Sequence, residues 1–401
     1  MNQPSTASSQ RTQLGHRLRT RTAPAWLPWL IGVLAVILGA AASALIGFGI
    51  ASWAIFSALI LVIAGPLAVA GIEGRRRGAD AFARYLVWGA FLLALVPLVS
   101  VLWVVLARGL PGLNAHLLTT SMGGVTGVTD NAAAAGEGPV YGGAYHAIVG
   151  TLVITFWATV MSVPIGLLTA IYLTEYGGAT RISRAIAKTI TFLVDVMTGI
   201  PSIVAGLFAA AFFVQILDDP SARFGFIASV ALSVLMIPTV VRSAEEMLRI
   251  VPNELREASY ALGVRKWRTI VKVVIPTAIS GISSGVTLAI ARVIGETAPI
   301  LVTAGFVTTI NWNAFSGWMT TLPTYIYYQI MTPTSPTSPQ ISEGRAWSAA
   351  LILIVVTTST TTVAAAIAVE PIKDLVRAVP LWLQVLLAVF VADLAQAVLH
   401  R

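Results

Sequence analysis

Long stretches of this chain carry no charge. None occurs between Thr22 and Ile72. A helix rises 1.5 Å per residue, so one membrane crossing takes about 20 apolar residues. The first run therefore predicts two crossings, turning near Gly47-Phe48-Gly49, and is too long for a cleaved signal peptide. Further apolar runs predict spans at 85–107, 146–172, 190–217, 225–241, 278–304 and 347–369. The pattern is that of an all-α polytopic membrane protein with about eight transmembrane helices. The apolar tail after Pro380 is interrupted by Gln384, Asp393 and Gln396. It reads as an interfacial amphipathic helix, or alternatively as a ninth span.

Composition agrees with that reading. The 401 residues are 57% hydrophobic and only 10% charged, against roughly 25% charged in ordinary soluble domains. The net charge of +8 does not point to nucleic acid, because the basic residues are dispersed among short loops. All the Lys and Arg residues except Arg108, Arg223, Arg292 and Arg345 fall in 1–24, 73–84, 174–188, 242–276 and the C-terminal segment. By the positive-inside rule these segments are cytoplasmic, both termini included. The linker 110–145 and the loop 305–344 then lie outside. Expected domains are a basic tail (1–24), a transmembrane hairpin with a basic loop (25–84), a six-span core (85–373) and the amphipathic tail (374–401).

Several chemistries are excluded. There is no cysteine, hence no disulfide and no thiolate metal site. His16, His116, His146 and His400 are far apart, and no span gathers His, Asp and Glu for acid–base or metal work. No G-x-x-x-x-G-K-[ST] phosphate cradle occurs, so this chain binds no nucleotide by that route.

The segment 252–276 stands apart from its apolar surroundings. Pro252 suits a first helical turn, Glu254 and Glu257 favour the positive helix end, and Gly263 suits a left-handed helix stop. Arg265, Lys266, Arg268 and Lys272 follow, before Pro276 opens the next span. The reading is helix, glycine turn, helix. It serves either as a plain basic loop or as a docking element for a soluble partner; its length favours docking.

Glu257-Ala258-Ser259, Gly263, and, after nine intervening residues, Val273-Val274-Ile275-Pro276 resemble the EAA signature of ABC-importer permeases. Ser259, Val273 and Ile275 depart slightly from the usual residues. ARVIGETAP at 291–299, TGIPSIVAGLF at 198–208, AIYLTEYG at 170–177 and PTVVRSAEEMLRIVP at 238–252 resemble the permease subunits of the phosphate-specific ABC importer, and the ARVIGETAPIL string is most similar to its A-type subunit. The resemblance covers about 85–373. It implies a six-span type I permease core to which the 26–72 hairpin is added, in a bacterial or archaeal-type plasma (inner) membrane. It also implies a non-catalytic subunit that binds no cofactor itself. Partners would be a homologous C-type permease, a cytoplasmic ATPase dimer holding ATP and Mg, an external phosphate-binding protein, phosphate and the lipid bilayer. Coupling to the ATPase would run through Glu254, Glu257, Ala258, Ser259 and Gly263.

Within the spans, Arg292 and Glu296 are four residues apart and are expected to share a helix face. They form either a structural ion pair or a pathway site in which Arg292 meets an oxyanion. Thr297 is the next pathway candidate. Pro201, lacking an N–H, marks either a plain kink or a functional break with Gly199 and Ser202. Arg242 is either a positive-inside anchor or part of an anion exit. Asp195 is expected to be structural. The alternatives to phosphate are an importer of another oxyanion, sulfate or molybdate, and an ATPase-independent secondary transporter or channel.

Overall fold

The computed structural model describes residues 24 and 26–369, with side chains described to residue 362. The expected basic tail (apart from residue 24) and the C-terminal amphipathic tail lie outside the described residues. No strand occurs among those described. Seven helices are long and apolar enough to cross a membrane, or eight if one bent pair counts as a span. This is a multi-pass membrane protein. The chain divides into two compact units, residues 1–104 and 105–401.

The first unit contains α1 (Leu27–Ala44), α2 (Ile50–Glu73) and most of α3 (Arg75–Gly109). Gly47, with φ 98°, supplies the turn between α1 and α2, a conformation open chiefly to glycine. Small residues permit close contact, as is usual between helices in lipid. A Cβ at Gly39 would lie 2.7 Å from the Ser57 nitrogen, and one at Gly65 would meet the Tyr85 ring at 2.7 Å. The outward side chains, such as Leu67, Val87 and Leu98, are mostly exposed, as suits a surface that meets lipid.

In the second unit, two short helices, α4 (Ala115–Thr119) and α5 (Gly127–Ala134), precede α6 (Tyr145–Ile171), which runs into a π-helical turn, Tyr172–Tyr176. Then come α7 (Arg181–Thr198), α8 (Ser202–Leu217) and α9 (Gly225–Ile250). The loop helix α10 (Asn253–Ala261) and a short α11 (Lys266–Thr269) lead through a second π turn, Ile270–Val274, into α12 (Ile275–Ile294). The chain closes with α13 (Ala298–Thr303), α14 (Leu322–Met331) and α15 (Pro339–Val369).

The core of this unit lies between α6, α9, α12 and α13, where Ile154, Leu232, Met236, Ala289 and Ile300 are fully buried. Serine hydroxyls bind helix to helix: Ser229 Oγ donates to the Ile154 carbonyl at 3.0 Å and Ser233 Oγ to that of Ala158 at 3.3 Å. Such bonds contribute about 0.6 kcal/mol each within a bilayer.

Two apolar runs that hydropathy reads as single spans are interrupted. In 190–217, α7 and α8 meet at 107° across Gly199-Ile200-Pro201. Pro201 cannot continue the ladder of α7 and serves instead as N-cap of α8. The charges of α7, at 181, 184, 188 and 195, share one face, the pattern of an interfacial helix rather than of a span. In 278–304, α12 stops at Ile294, and Pro299 starts the separate α13. Apolar composition continues across both breaks, so hydropathy alone does not register them.

Candidate functional site

The loop 251–275 is built from local signals. Pro252 caps α10, and its φ of −60° suits helix entry. Gly263 adopts φ 75°, and the turn closes by N–H bonds from Gly263 to the Tyr260 carbonyl at 2.9 Å and from Val264 to that of Ser259 at 3.2 Å. Across this turn Ser259 Oγ and Thr269 Oγ1 lie 2.8 Å apart, both buried. Ser259 therefore holds α10 onto α11, whereas Glu254, Glu257 and Ala258 are exposed. Leu262, 84% exposed at the tip, with Leu255, Tyr260 and Trp267, gives the loop an apolar outer surface. Soluble-facing apolar groups of this size point to a partner.

The loop is fixed to the end of α6 by a pair of residues not singled out in the sequence. Arg256 donates through Nε and Nη2 to Glu175 Oε1, at 3.1 and 2.9 Å. Its remaining donors reach the Val251 carbonyl at 2.6 Å and the Leu248 carbonyl at 3.0 Å, so one guanidinium joins α6, α9 and α10. Lys266 donates to the Glu175 carbonyl and sits 4.7 Å from the Tyr176 ring centroid. Glu175 lies in the AIYLTEYG string, but no sequence signal connects it to Arg256.

The intramembrane candidates are separated. Arg292 is on the last turn of α12, exposed, and has no hydrogen-bond or ion-pair partner among the described residues. Glu296 lies beyond the helix end, half-buried and likewise unpartnered, and Thr297 is the N-cap residue of α13. The two charges thus share no helix face and form no ion pair. Gly295 ends α12, and that glycine, with Pro299 four residues on, was the available signal for the break.

An exposed Arg at this depth is costly unless it borders water or a partner. Thr277, Ser280, Ser284 and Leu288 are exposed on the same side of α12, at the three- and four-residue spacing of one face. Arg292 therefore stands at one end of a largely hydroxylic strip.

Arg242, by contrast, is engaged. It pairs with Asp195 of α7 and with Glu245 Oε2 at 3.1 Å, while Arg249 holds Glu245 Oε1 at 2.6 Å. Asp195 is thereby a structural partner, fixing α7 to α9. The helix break brings Gly199 and Pro201 to exposed positions and half-buries Ser202. Near it, α8 approaches α13 so closely that a Cβ at Gly206 would lie 2.6 Å from Pro299 Cα.

At the opposite end of this unit, Arg345 and Asp130 form a buried two-pronged ion pair, with Nη1 to Oδ1 at 3.0 Å and side chains 3% and 1% exposed. Arg345 Nη1 also donates to the Tyr141 carbonyl at 2.8 Å. The pair ties α5 and the following loop to the start of α15. Burial pushes the phenol of neighbouring Tyr325 well above its usual range. His, Asp and Glu side chains nowhere cluster as a metal site among the described residues.

Residues 162–371 match the family described as binding-protein-dependent transport system inner membrane component. The phosphate transport system permease protein PstA 1 of Mycobacterium tuberculosis is 45% identical over 287 residues, covering 71% of this chain and 87% of that protein. The PstA protein of Mycobacterium leprae is 45% identical over 282 residues, covering 70% of this chain and 85% of that protein. Among solved structures, an inward-facing MetNI methionine ABC transporter aligns with 56% of this chain and 92% of its own at 22% identity, with a TM-score of 0.42.

Proposed function

From the premise that this chain belongs to the family of binding-protein-dependent transport system inner membrane components, we propose that it is the permease subunit of an ATP-driven phosphate importer. The observation that carries the proposal is the loop 251–275: an apolar, acidic outer face on a helix whose inner side is bound rigidly to α6 through Arg256 and Glu175. A cytoplasmic ATPase dimer, holding ATP and Mg, docks on Glu254, Glu257, Ala258 and Leu262. Closure of that dimer moves α10, and the partly buried Arg256–Glu175 pair passes the movement to α6 and α9. An external binding protein delivers the anion, and a homologous permease completes the pathway. In this orientation the basic segments 73–84, 174–188 and 242–276 are cytoplasmic, with both termini.

Arg292 faces the pathway, where an unpaired guanidinium attracts an oxyanion without a full cage, so release stays fast. Glu296 and Thr297, at the break between α12 and α13, complete the passage. Arg242 already faces two carboxylates and acts as an anchor between α7 and α9. Phosphate as the substrate is supported by the likeness to the PstA proteins, over more than four-fifths of their length. Electrostatics alone suits sulfate or molybdate equally well.

The decisive experiment is uptake of labelled phosphate by membranes carrying the assembled complex, with sulfate as competitor. ATP-dependent uptake, lost in Glu257→Ala and Arg292→Ala complexes that still assemble, is the expected result. Equal competition by sulfate transfers the proposal to another oxyanion; uptake without ATP rejects the ABC permease altogether.

A further inference from the structure

Within residues 24–103 an open apolar groove runs between α1, α2 and α3. Its walls are side chains such as Val36, Ala54, Leu61, Leu92 and Val99, and Arg77, Asp80 and Arg84 line one end. Arg77 is bound to Glu73 at 3.1 Å. Arg84 is exposed and has no hydrogen-bond or ion-pair partner among the described residues. Arg75 and Arg76 are exposed on the adjoining turn, and the first residues of α1 also line this end. Among the described residues, Glu73 and Asp80 are the acidic side chains that line the groove. From Arg84 to Val99 the groove follows about 22 Å of helix, more than the roughly 15 Å of one leaflet's hydrocarbon.

We propose that this groove is a binding site for an acidic phospholipid, with its phosphate at Arg84 and Arg77 and an acyl chain along α3. A basic end on an intramembrane groove selects anionic headgroups, and Arg is suited to phosphate oxygens. The apolar walls select a chain rather than a free anion. Gly32 lines the groove and a Cβ there meets no atom within 4 Å, so a large side chain at that position would project into the space proposed for the acyl chain.

The test is native mass spectrometry of the complete transporter, extracted in detergent and offered equal amounts of phosphatidylglycerol and phosphatidylethanolamine. Retention of phosphatidylglycerol at least tenfold above phosphatidylethanolamine is expected. Arg84→Glu and Gly32→Trp, each in an assembled complex, should both lower that retention at least tenfold. Equal retention of the two lipids overturns the proposal, as does a lipid-free wild-type complex, which would mean that a protein helix occupies the groove. Loss in Arg84→Glu alone would place the headgroup on the surface without the groove, and loss in Gly32→Trp alone would remove the charge selection; either result overturns the site as described.

Discussion

Arg256 Nη2 lies 2.9 Å from Glu175 Oε1, joining residues 81 positions apart at the junction of the loop helix and the end of α6. Their side chains are 15% and 6% exposed, so removing one partner leaves the other charged and desolvated. Such losses cost about 3–5 kcal/mol in fully buried pairs, and less here, where Arg256 keeps the Val251 and Leu248 carbonyls. Arg256→Ala is expected to abolish uptake through misplacement of α10, even where the complex inserts normally. Glu175→Gln, which keeps one acceptor for the guanidinium, should lose less. Measuring ATPase activity of the assembled complex separates the possibilities. Hydrolysis that persists while uptake is lost marks broken coupling, and unchanged uptake would remove the pair from the coupling path.

The tip of the same loop gives a second test. Leu262 is 84% exposed, and burying a leucine against a partner contributes roughly 1.5–3 kcal/mol. Leu262→Asp replaces that gain with a desolvated charge, so affinity for the ATPase should fall at least tenfold. Val128→Asp, at an exposed position of α5 away from the loop, is the control. Pull-down of the ATPase from detergent extracts measures both. Equal retention by wild type and Leu262→Asp would show that the apolar tip is not part of the docking face.

What was legible in the sequence was local. Pro252, Gly263 and the spacing between Glu257 and Val273 act within a few residues of themselves, and the loop they specify is the loop observed. The apolar runs likewise specify most spans, because composition and length decide membrane insertion residue by residue. Long-range pairs were not legible. Glu175 is one acid among several near a membrane face, and only the packing of α9 between them makes Arg256 its partner. Arg345 carried a faint signal, as one of few basic residues outside the basic loops, but nothing in the chain names Asp130, 215 residues earlier. The Arg292–Glu296 spacing misled because periodicity assumes an unbroken helix, and Gly295 interrupts it.

The Asp130–Arg345 pair is expected to hold the segment around α5 in place. Asp130→Ala leaves a buried guanidinium, at about 3–5 kcal/mol. Replacing both residues with apolar ones of similar volume, Asp130→Leu with Arg345→Met, should restore most of that loss. Protease sensitivity of the 110–145 segment reads the effect directly. The single variant should be cut several-fold faster and the double variant close to the wild-type rate. If the single variant resists cleavage as well as wild type does, the pair is not what holds the segment.

The absence of cysteine from the whole chain makes the proposed pathway directly measurable, since any introduced thiol is the only one in this chain. Cysteines at Thr277, Ser280, Ser284 and Leu288 all fall on the exposed face of α12 that ends at Arg292. If this face borders a water-filled anion path, a charged thiol reagent should modify the four at comparable rates, and phosphate should protect those nearest Arg292. Ala278 and Ala289 are buried on the opposite side, and cysteines there should react at least tenfold more slowly. An anionic reagent should also outpace a cationic one at position 288, because the unpaired Arg292 guanidinium raises the local anion concentration. That preference should vanish in Arg292→Gln. A strip that reacts only with lipid-soluble reagents would instead face the bilayer, and Arg292 would then have no claim to the path.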